Sequence, residues 1–324
     1  MDRAGLVHVD RLRAGRYAPA WGCAVSGASV GTLAPYSASR IALYLQCPRR
    51  AAYQYLEGLR EPPSASMARG TAAHGGIEYL LRRQMSGSIA TDEEISDATR
   101  DAANKAAAEV EWTAEDEDER AGLVDRAIAY ALGYARQVAP TLRVVDVEKP
   151  FRVSVHGVDL VGRIDVVTED SLRDTKTAQR APSPAWGDPR SRLQLGFYAL
   201  AWEIMADEFD ASPMSAAIDT LVLTERSPRA TKANPTPTAT REVRHLPLVI
   251  EPRELVDEMA VARSVLMHVD EQSTAGNYPR NPTACYAWMR PCPHLAQCIP
   301  GRASAVERAA AMRAAGSGNN EGGT

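Results

Sequence analysis

The stretch that decides the fold runs from Phe151 to Thr177 and reads FRVSVHGVDLVGRIDVVTEDSLRDTKT. Apolar residues alternate with polar ones in its first part, as in a half-buried strand, and His156-Gly157 can turn the chain. The segment Val158–Val167 then reads as a returning strand, and Leu172–Thr177 reads as a third one. The sequence therefore predicts a meander of three strands.

Two carboxylates and a lysine lie towards the end of this meander. Alternation along a strand puts Asp174 and Lys176 on the same face of the sheet, and Asp165 lies beside them if the strands pair as a hairpin. Adjacent carboxylates repel each other unless a cation lies between them, and hard oxygen ligands suit Mg²⁺ or Mn²⁺. A neighbouring lysine can orient or deprotonate a water molecule and offset charge on a phosphate. The competing interpretation is a plain surface ion pair between Asp174 and Lys176.

The elements on either side of the meander indicate an α/β protein with a mixed central sheet flanked by helices. Two further strands are predicted over Ala217–Thr224 and Glu242–Ile250. The interval 91–140 is rich in alanine and acidic residues and is typical of a helical insertion with a solvated turn. The other predicted helices run from Ser37 through Tyr55, from about Met67 to Met85, over Arg192–Met205 and from Glu251 to about Gln272.

The composition restricts the classes of function. The chain has 324 residues, a net charge of −4 and a pI near 5.9. Binding of nucleic acid by overall positive charge is therefore excluded, and contact with DNA would need local basic groups. No apolar run approaches the ~20 residues of a membrane span, and the charged N-terminus lacks the apolar stretch of a signal peptide. We expect a cytoplasmic protein that does not associate with membranes.

Five cysteines in such a chain argue against a disulfide framework and favour thiolate chemistry. Cys285, Cys292 and Cys298 have six and then five residues between them, and Cys47 lies far upstream. Four thiolates suit either an iron–sulfur cluster or tetrahedral zinc. Zinc sites usually contain tight C-x-x-C spacing, which is absent here, so iron is favoured. Cys23 is expected to be a plain thiol.

Four short motifs occur in an order that resembles a known family. Gly162-x-x-Asp165 and Asp174-x-Lys176 resemble the motifs of the PD-(D/E)XK nucleases. Gln194-x-x-x-Tyr198 resembles a motif of their RecB-like branch. Gly70-x-x-x-His74, followed by Glu78, resembles a helix of that branch whose histidine is a metal ligand. On a helix, residues four apart share a face, so each of the last two motifs can point at one site.

The resemblance implies a restriction-endonuclease-like core that hydrolyses DNA with Mg²⁺ or Mn²⁺. In this family Lys176 would position the attacking water, while Gln194 and Tyr198 would support the substrate and the lysine. Glu78 is an open case, because a structural ion pair explains it equally well. The implied metal ligands are His74, Asp165, Asp174, the backbone carbonyl of Thr175 and, less directly, Glu78.

The cysteines resemble the same branch, including its AddB-type, CRISPR-associated and phage exonuclease relatives. The opening segments Tyr36–Arg40 and Cys47–Arg50 are similar to the first helix of that group. The resemblance implies a [4Fe–4S] cluster that staples the terminal segments together, with zinc as the alternative. Its ligands would be Cys47, Cys285, Cys292 and Cys298.

The chain is predicted to have three parts. Residues 1–33 would form a flexible N-terminal arm, and residues 301–324 would form a C-terminal helix and a disordered tail. Residues 34–300 would form the RecB-like nuclease domain, with the helical insertion at 91–140. The cluster site would combine 285–298 with Cys47.

The predicted activity is an exonuclease of DNA recombination, repair, or phage- or CRISPR-related DNA processing. The sequence contains no G-x-x-x-x-G-K-[ST] phosphate loop, so unwinding would need a helicase partner, and an annealing protein is a second expected partner. The alternative is a nuclease-inactive DNA-binding or scaffold subunit that keeps the fold and the cluster; the intact Asp165, Asp174 and Lys176 argue against it. Candidate contacts to DNA phosphates are Arg49, Arg50, Arg69 and Arg192.

Overall fold

The computed structural model describes residues 31–182, 188–206, 215–226, 240–286 and 291–299. The predicted arm up to residue 30 and the predicted C-terminal helix and tail lie outside these ranges. No helix in the described ranges has the length and apolar character needed to span a membrane. The strands are β1 (Val144–Val155), β2 (Val158–Thr168), β3 (Ser171–Ala178), β4 (Ser215–Arg226) and β5 (Thr240–Ile250). The helices are α1 (Ala38–Gln46), α2 (Pro48–Tyr55), α3 (Ala65–Met85), α4 (Asp92–Ala107), α5 (Glu117–Gln137), α6 (Pro189–Met205), α7 (Pro252–Thr274) and α8 (Leu295–Cys298).

The five strands form one mixed sheet in the order β1-β2-β3-β4-β5. Strands β3 and β4 are parallel, and the other three neighbouring pairs are antiparallel. Helix α6 lies between β3 and β4 in the chain, as a parallel pair requires a crossover connection. The predicted meander, the two later strands and the α/β class with a helix-flanked mixed sheet are therefore confirmed.

The β1–β2 hairpin turns at the predicted dipeptide. His156 and Gly157 have φ values of 51° and 86°, the left-handed conformation that two-residue hairpin turns use. The pairing extends from Val155 opposite Val158 back to Val144 opposite Thr168. Strand β1 is thus longer than the alternating segment that begins at Phe151, and its earlier half pairs with the later half of β2.

Helices cover both faces of the sheet, and the predicted insertion supplies part of one layer. Helices α1, α6 and α7 enclose one apolar core with β1 and β2. The other core contains Tyr130 and Tyr134 of α5, both fully buried, packed with Ile77 of α3 and with Val166 and Leu221 of the sheet. Residues 91–140 are helical as predicted, but α5 is a covering layer of the sheet rather than a peripheral addition.

The first predicted helix is interrupted at Cys47. Cys47 has φ −159° and ψ 104°, an extended conformation between α1 and α2. The cause is Pro48, because the residue before a proline is disfavoured in the α conformation, whereas proline itself is tolerated in a first helical turn. The prediction of one continuous helical run through Tyr55 is wrong, and the break leaves Cys47 at a junction between two helices.

Candidate metal centre

Strands β2 and β3 stay together over only a short length and then separate. They pair at Val166 with Arg173 and at Val167 with Leu172. Beyond this point the Tyr36 carbonyl accepts the backbone N–H of Val161 at 2.7 Å, so the chain before α1 takes part of the free edge of β2. The Thr175 N–H, past the paired segment of β3, donates to Asp165 Oδ2 at 3.0 Å. The Asp165 side chain thus bridges the opening in which the candidate site lies.

Three side chains meet in this opening at the spacing of metal ligands. His74 Nδ1 lies 3.6 Å from Asp165 Oδ2 and 3.9 Å from Glu148 Oε1. One ligand atom from each residue lies within 4.8 Å of the other two. His74 Nε2 donates to the Thr175 carbonyl at 2.9 Å, which fixes the imidazole against β3. Carboxylates dominate this donor set, and they suit Mg²⁺ or Mn²⁺.

Glu148 was not among the residues singled out by the sequence. Val147 pairs with Val166 and Lys149 with Ile164, so Glu148 lies opposite Asp165 in the hairpin. Counting residues back along β1 from the predicted His156-Gly157 turn would have identified Glu148 as the residue opposite Asp165. The φ value of Glu148 is 53°, which is unfavourable for a residue with a side chain, and such strained residues cluster at functional sites.

A chain of polar contacts links the second carboxylate, the lysine and α6. Lys176 Nζ donates to Asp174 Oδ1 at 2.9 Å and to Gln194 Oε1 at 3.0 Å. The Gln194 amide donates to the Tyr198 hydroxyl, which in turn lies 3.5 Å from Asp165 Oδ1. Gln194 and Tyr198 are one helical turn apart and share a face, as their spacing predicted. The structure therefore brings Asp165, Asp174, Lys176, Gln194 and Tyr198 together.

Burial and mutual repulsion disturb the titration of these groups. Burial is the strongest influence on Asp174 and raises its pKa, with the Asp165 carboxylate adding to this and Lys176 opposing it. Burial alone would lower the pKa of Lys176, but the Asp174 and Asp165 carboxylates outweigh it and raise that pKa. Burial would likewise lower the pKa of His74, but Glu148, Asp165 and Asp174 raise it. These acids thus favour positive charge at the site, which a divalent cation would supply.

The motif glycines allow close packing around the site. A Cβ atom at Gly162 would lie 2.5 Å from the Phe151 ring, which itself packs edge-on against the Tyr198 ring at 6.2 Å. A Cβ atom at Gly196 would lie 2.6 Å from the backbone oxygen of Glu258 on α7. Gly162 thus leaves room for the Phe151 ring within the hairpin, and Gly196 lets α7 approach α6.

Other predicted site residues lie in ion pairs within the protein. Glu78 accepts from Arg82 at 2.8 Å on the exposed side of α3 and is not part of the ligand group. Arg69 is only 5% exposed and pairs with Glu119, so a DNA phosphate cannot reach it. The remaining three candidate arginines pair with acids as follows: Arg49 with Glu57, Arg50 with Glu61, and Arg192 with Glu254 and Glu258.

The four predicted cluster cysteines line one small pocket, called the cysteine pocket below. Its lining includes Cys47, Cys285, Cys292 and Cys298 together with Arg49, Arg50 and Arg280. The Asn281 N–H points at Cys47 Sγ at 3.5 Å, and the Asn281 side chain donates to the Gln46 carbonyl at 2.8 Å. Among the described residues, no three of these sulfur atoms lie within 4.8 Å of one another. The thiols therefore share a pocket without forming a compact ligand group.

Comparison with known proteins identifies the family of this chain. The sequence model of the PD-(D/E)XK nuclease superfamily matches residues 35–299, so the chain belongs to that superfamily. The chain is also similar to a solved structure of a presumed exonuclease from Eubacterium rectale, with 9% identity and a TM-score of 0.45 over 82% of this chain and 92% of the other. The search of curated proteins found no match.

Proposed function

We propose that the protein is a Mg²⁺- or Mn²⁺-dependent deoxyribonuclease of the RecB-like branch that degrades DNA from strand ends. The observation that carries this proposal is the meeting of the His74–Glu148–Asp165 group with Lys176, which Asp174 and Gln194 hold in place. Phosphodiester hydrolysis requires cationic groups that stabilise charge on the phosphate and a group that orients the attacking water. This arrangement offers both on neighbouring elements.

Each residue has a distinct role in this proposal. His74, Glu148, Asp165, Asp174 and the Thr175 carbonyl are the available metal ligands. A divalent ion held by these residues would supply Lewis-acid stabilisation of the scissile phosphate. Lys176 orients the attacking water and offsets phosphate charge with its ammonium group. Gln194 fixes the lysine by accepting from Nζ, and Tyr198 connects Gln194 to Asp165.

Digestion of labelled DNA tests the proposal. Single- and double-stranded substrates carrying a 5′ or a 3′ label should release short products from one end with Mg²⁺ or Mn²⁺, and circular DNA should resist. Lys176→Ala should lower cleavage by about 10²- to 10³-fold, the cost of removing one transition-state donor. Lys105→Ala, an exposed lysine of α4, is the control and should cleave like the wild type. Absence of cleavage by the wild-type protein with either metal would favour the nuclease-inactive DNA-binding subunit.

We also propose that Cys47, Cys285, Cys292 and Cys298 hold a [4Fe–4S] cluster. The lining of one pocket by all four cysteines supports it, and Arg280, which lines the same pocket, can offset the negative charge of a thiolate-bound cluster. Zinc, which four thiolates bind at about 2.3 Å, is the alternative. Protein purified anaerobically should be brown and contain iron and labile sulfide; colourless protein that contains zinc would support the alternative.

A further inference from the structure

A cavity of about 210 Å³ opens beside the metal centre. It lies between the first turn of α1, the β1–β2 hairpin and the start of α6. Its wall is apolar where Ala42, Phe151 and Val161 line it, and two arginines, Arg163 and Arg190, lie along it. We call this cavity the α1 groove; neither the metal-binding group nor the cysteine pocket includes its two arginines.

The groove is continuous with the metal centre. Gln194 and Tyr198 line one part of it. The same Gln194 accepts a hydrogen bond from Lys176 Nζ at 3.0 Å, and the Tyr198 hydroxyl faces Asp165. A molecule in the groove would therefore be separated from the lysine by a single side chain. This is the position expected for a part of the substrate adjacent to the reacting phosphate.

The two arginines of the groove are freer to bind a ligand than the other candidate arginines. The Arg163 side chain is 62% exposed, and its only ion pair with a described residue is a long contact of 3.5 Å to Glu148. Arg190 is exposed and forms no ion pair with any residue in the described ranges. By contrast, Arg50, Arg69 and Arg192 are held in close ion pairs. Exposed guanidinium groups beside a nuclease site are suited to phosphate oxygens.

The volume and the lining side chains of the α1 groove favour one kind of ligand. Its 210 Å³ is below the range of about 300–1,000 Å³ for pockets that enclose drug-sized ligands, which suits one nucleoside unit better than a base pair. The apolar wall, which includes the aromatic residues Phe151 and Tyr198, suits the face of a base, because every base has a face that can pack on an aromatic side chain. The arginines then lie where the adjoining phosphates would be.

We propose that the α1 groove binds one unpaired nucleotide next to the scissile phosphate, with Arg163 and Arg190 holding the flanking phosphates. The enzyme then acts on single-stranded DNA or on the single-stranded end of a duplex. This inference rests on the proposed nuclease function, since it assigns the substrate of the same site.

Binding of a fluorescein-labelled oligothymidylate, measured by anisotropy without divalent metal over a range of salt, tests the groove. Each lost phosphate contact should lower the slope of log affinity against log salt by about 0.7 for a single strand. Arg163→Ala and Arg190→Ala should each show this loss, and the double variant should show about twice as much. The control is Arg152→Ala, whose side chain is on the same hairpin, is 67% exposed and pairs with Asp159; its slope should equal that of the wild type.

A second variant tests the cavity itself. Ala42→Phe places a ring in the groove and should reduce cleavage of single strands, while calorimetric binding of Mn²⁺ and the thermal unfolding midpoint should stay near the wild-type values. Blunt duplex should be cleaved more slowly than duplex with single-stranded ends. Wild-type salt slopes in the Arg163 and Arg190 variants, or equal cleavage of blunt and single-stranded ends, would overturn the proposal.

The two proposals fail separately in these experiments. A wild-type protein that cleaves DNA but whose arginine variants bind normally refutes the groove and leaves the nuclease. A wild-type protein that cleaves nothing refutes the nuclease, and the metal-free binding assay still decides whether the groove binds a single strand.

Discussion

The metal centre and the cysteine pocket are both assembled from residues that are distant in the sequence, but the chain holds them differently. Asp165 and Thr175 lie on strands of one sheet, and a hydrogen bond of 3.0 Å joins them directly. The cysteine pocket draws Cys47 from a helix junction and its other thiols from the segment after α7. These parts are joined by contacts outside strand pairing, such as the bonds from the Arg49 N–H to the Pro279 carbonyl and from the Asn281 side chain to the Gln46 carbonyl. Strand register therefore helps to hold the metal centre together, whereas loop contacts and, in our proposal, a bound cluster hold the cysteine pocket together.

The central sheet and the surroundings of the cysteine pocket each contain a carboxylate that lies between an arginine and a histidine. Asp219 accepts from Arg173 at 2.7 and 2.8 Å and from His245 at 2.7 Å, and its side chain is fully buried between β3, β4 and β5. Beside the cysteine pocket, Glu61 accepts from Arg50 at 2.7 Å and lies 3.0 Å from His294, with 15% of its side chain exposed. The first group joins strands of the sheet, while the second joins the loop before α3 to α2 and the C-terminal segment.

The largest stability effect is expected from Cys47→Ser. A cluster bound to Cys47 and Cys298 closes a loop of well over 100 residues, which in the chain-entropy model stabilises the fold by ~4–5 kcal/mol. The variant should lose its iron and unfold at a clearly lower temperature, as measured by iron analysis and circular dichroism. Its calorimetric affinity for Mn²⁺ should stay near the wild-type value if the metal centre is independent of the pocket.

Cys23→Ser is the matched control for this variant, because Cys23 is the one cysteine assigned to no site. It should keep iron and the wild-type unfolding temperature. Equal iron content and stability in the two variants would show that the pocket holds no cluster. A parallel loss of Mn²⁺ binding in Cys47→Ser would show that the two regions are coupled.

A somewhat smaller effect is expected from Asp219→Asn, which removes the fully buried carboxylate that pairs with the half-buried Arg173. Breaking a buried ion pair costs about 3–5 kcal/mol in the free energy of unfolding. Burial alone would raise the pKa of Asp219, but His245 and Arg173 lower it below its ordinary value of 3.8. The ionised Asp219 carboxylate therefore stabilises the fold fully when the pH is above 3.8, the ordinary pKa of the group. This stabilisation is lost as the pH falls through the lower pKa that Asp219 has in the folded protein.

The difference in unfolding free energy between Asp219→Asn and the wild type should be constant from about pH 5 upwards and should narrow below about pH 4. Urea unfolding at a series of pH values measures it. The matched control is Glu169→Gln, which removes an exposed carboxylate paired with Arg143 and should change little. A difference that does not narrow in acid would show that the ionised Asp219 does not stabilise the fold.

Alternation and turn chemistry were sufficient to predict the meander, because the spacing of apolar residues directly reports which face of a strand is buried. The motif spacings also predicted that Asp165, Asp174, Lys176 and Gln194 would lie together. The roles of these residues remain predictions.

Such local patterns could not predict contacts between residues that are far apart in the sequence. Arg192 meets Glu258, 66 residues later, and nothing local to either residue signals the contact. The acidic character of 91–140 similarly concealed that Tyr130 and Tyr134 are fully buried. Local sequence therefore indicated neither the distant partner of Arg192 nor the buried tyrosines of an otherwise acidic segment.

The last and smallest expected effect concerns which glutamate binds the metal. The sequence suggested Glu78, whereas Glu148 lies in the opening between β2 and β3. Glu148→Gln removes a carboxylate from the group with His74 and Asp165, whereas Glu78→Gln removes one that pairs with Arg82 on the exposed side of α3. Loss of even an outer partner of a metal ligand costs about 10- to 100-fold in affinity, so Glu148→Gln should weaken Mn²⁺ binding by at least ~10-fold. Glu78→Gln, with the same change of charge one helical turn from His74, should leave it unchanged. Calorimetry on both variants separates the two ligand sets, and the reverse order of affinities would return Glu78 to the metal and make Glu148 a structural partner of Arg163.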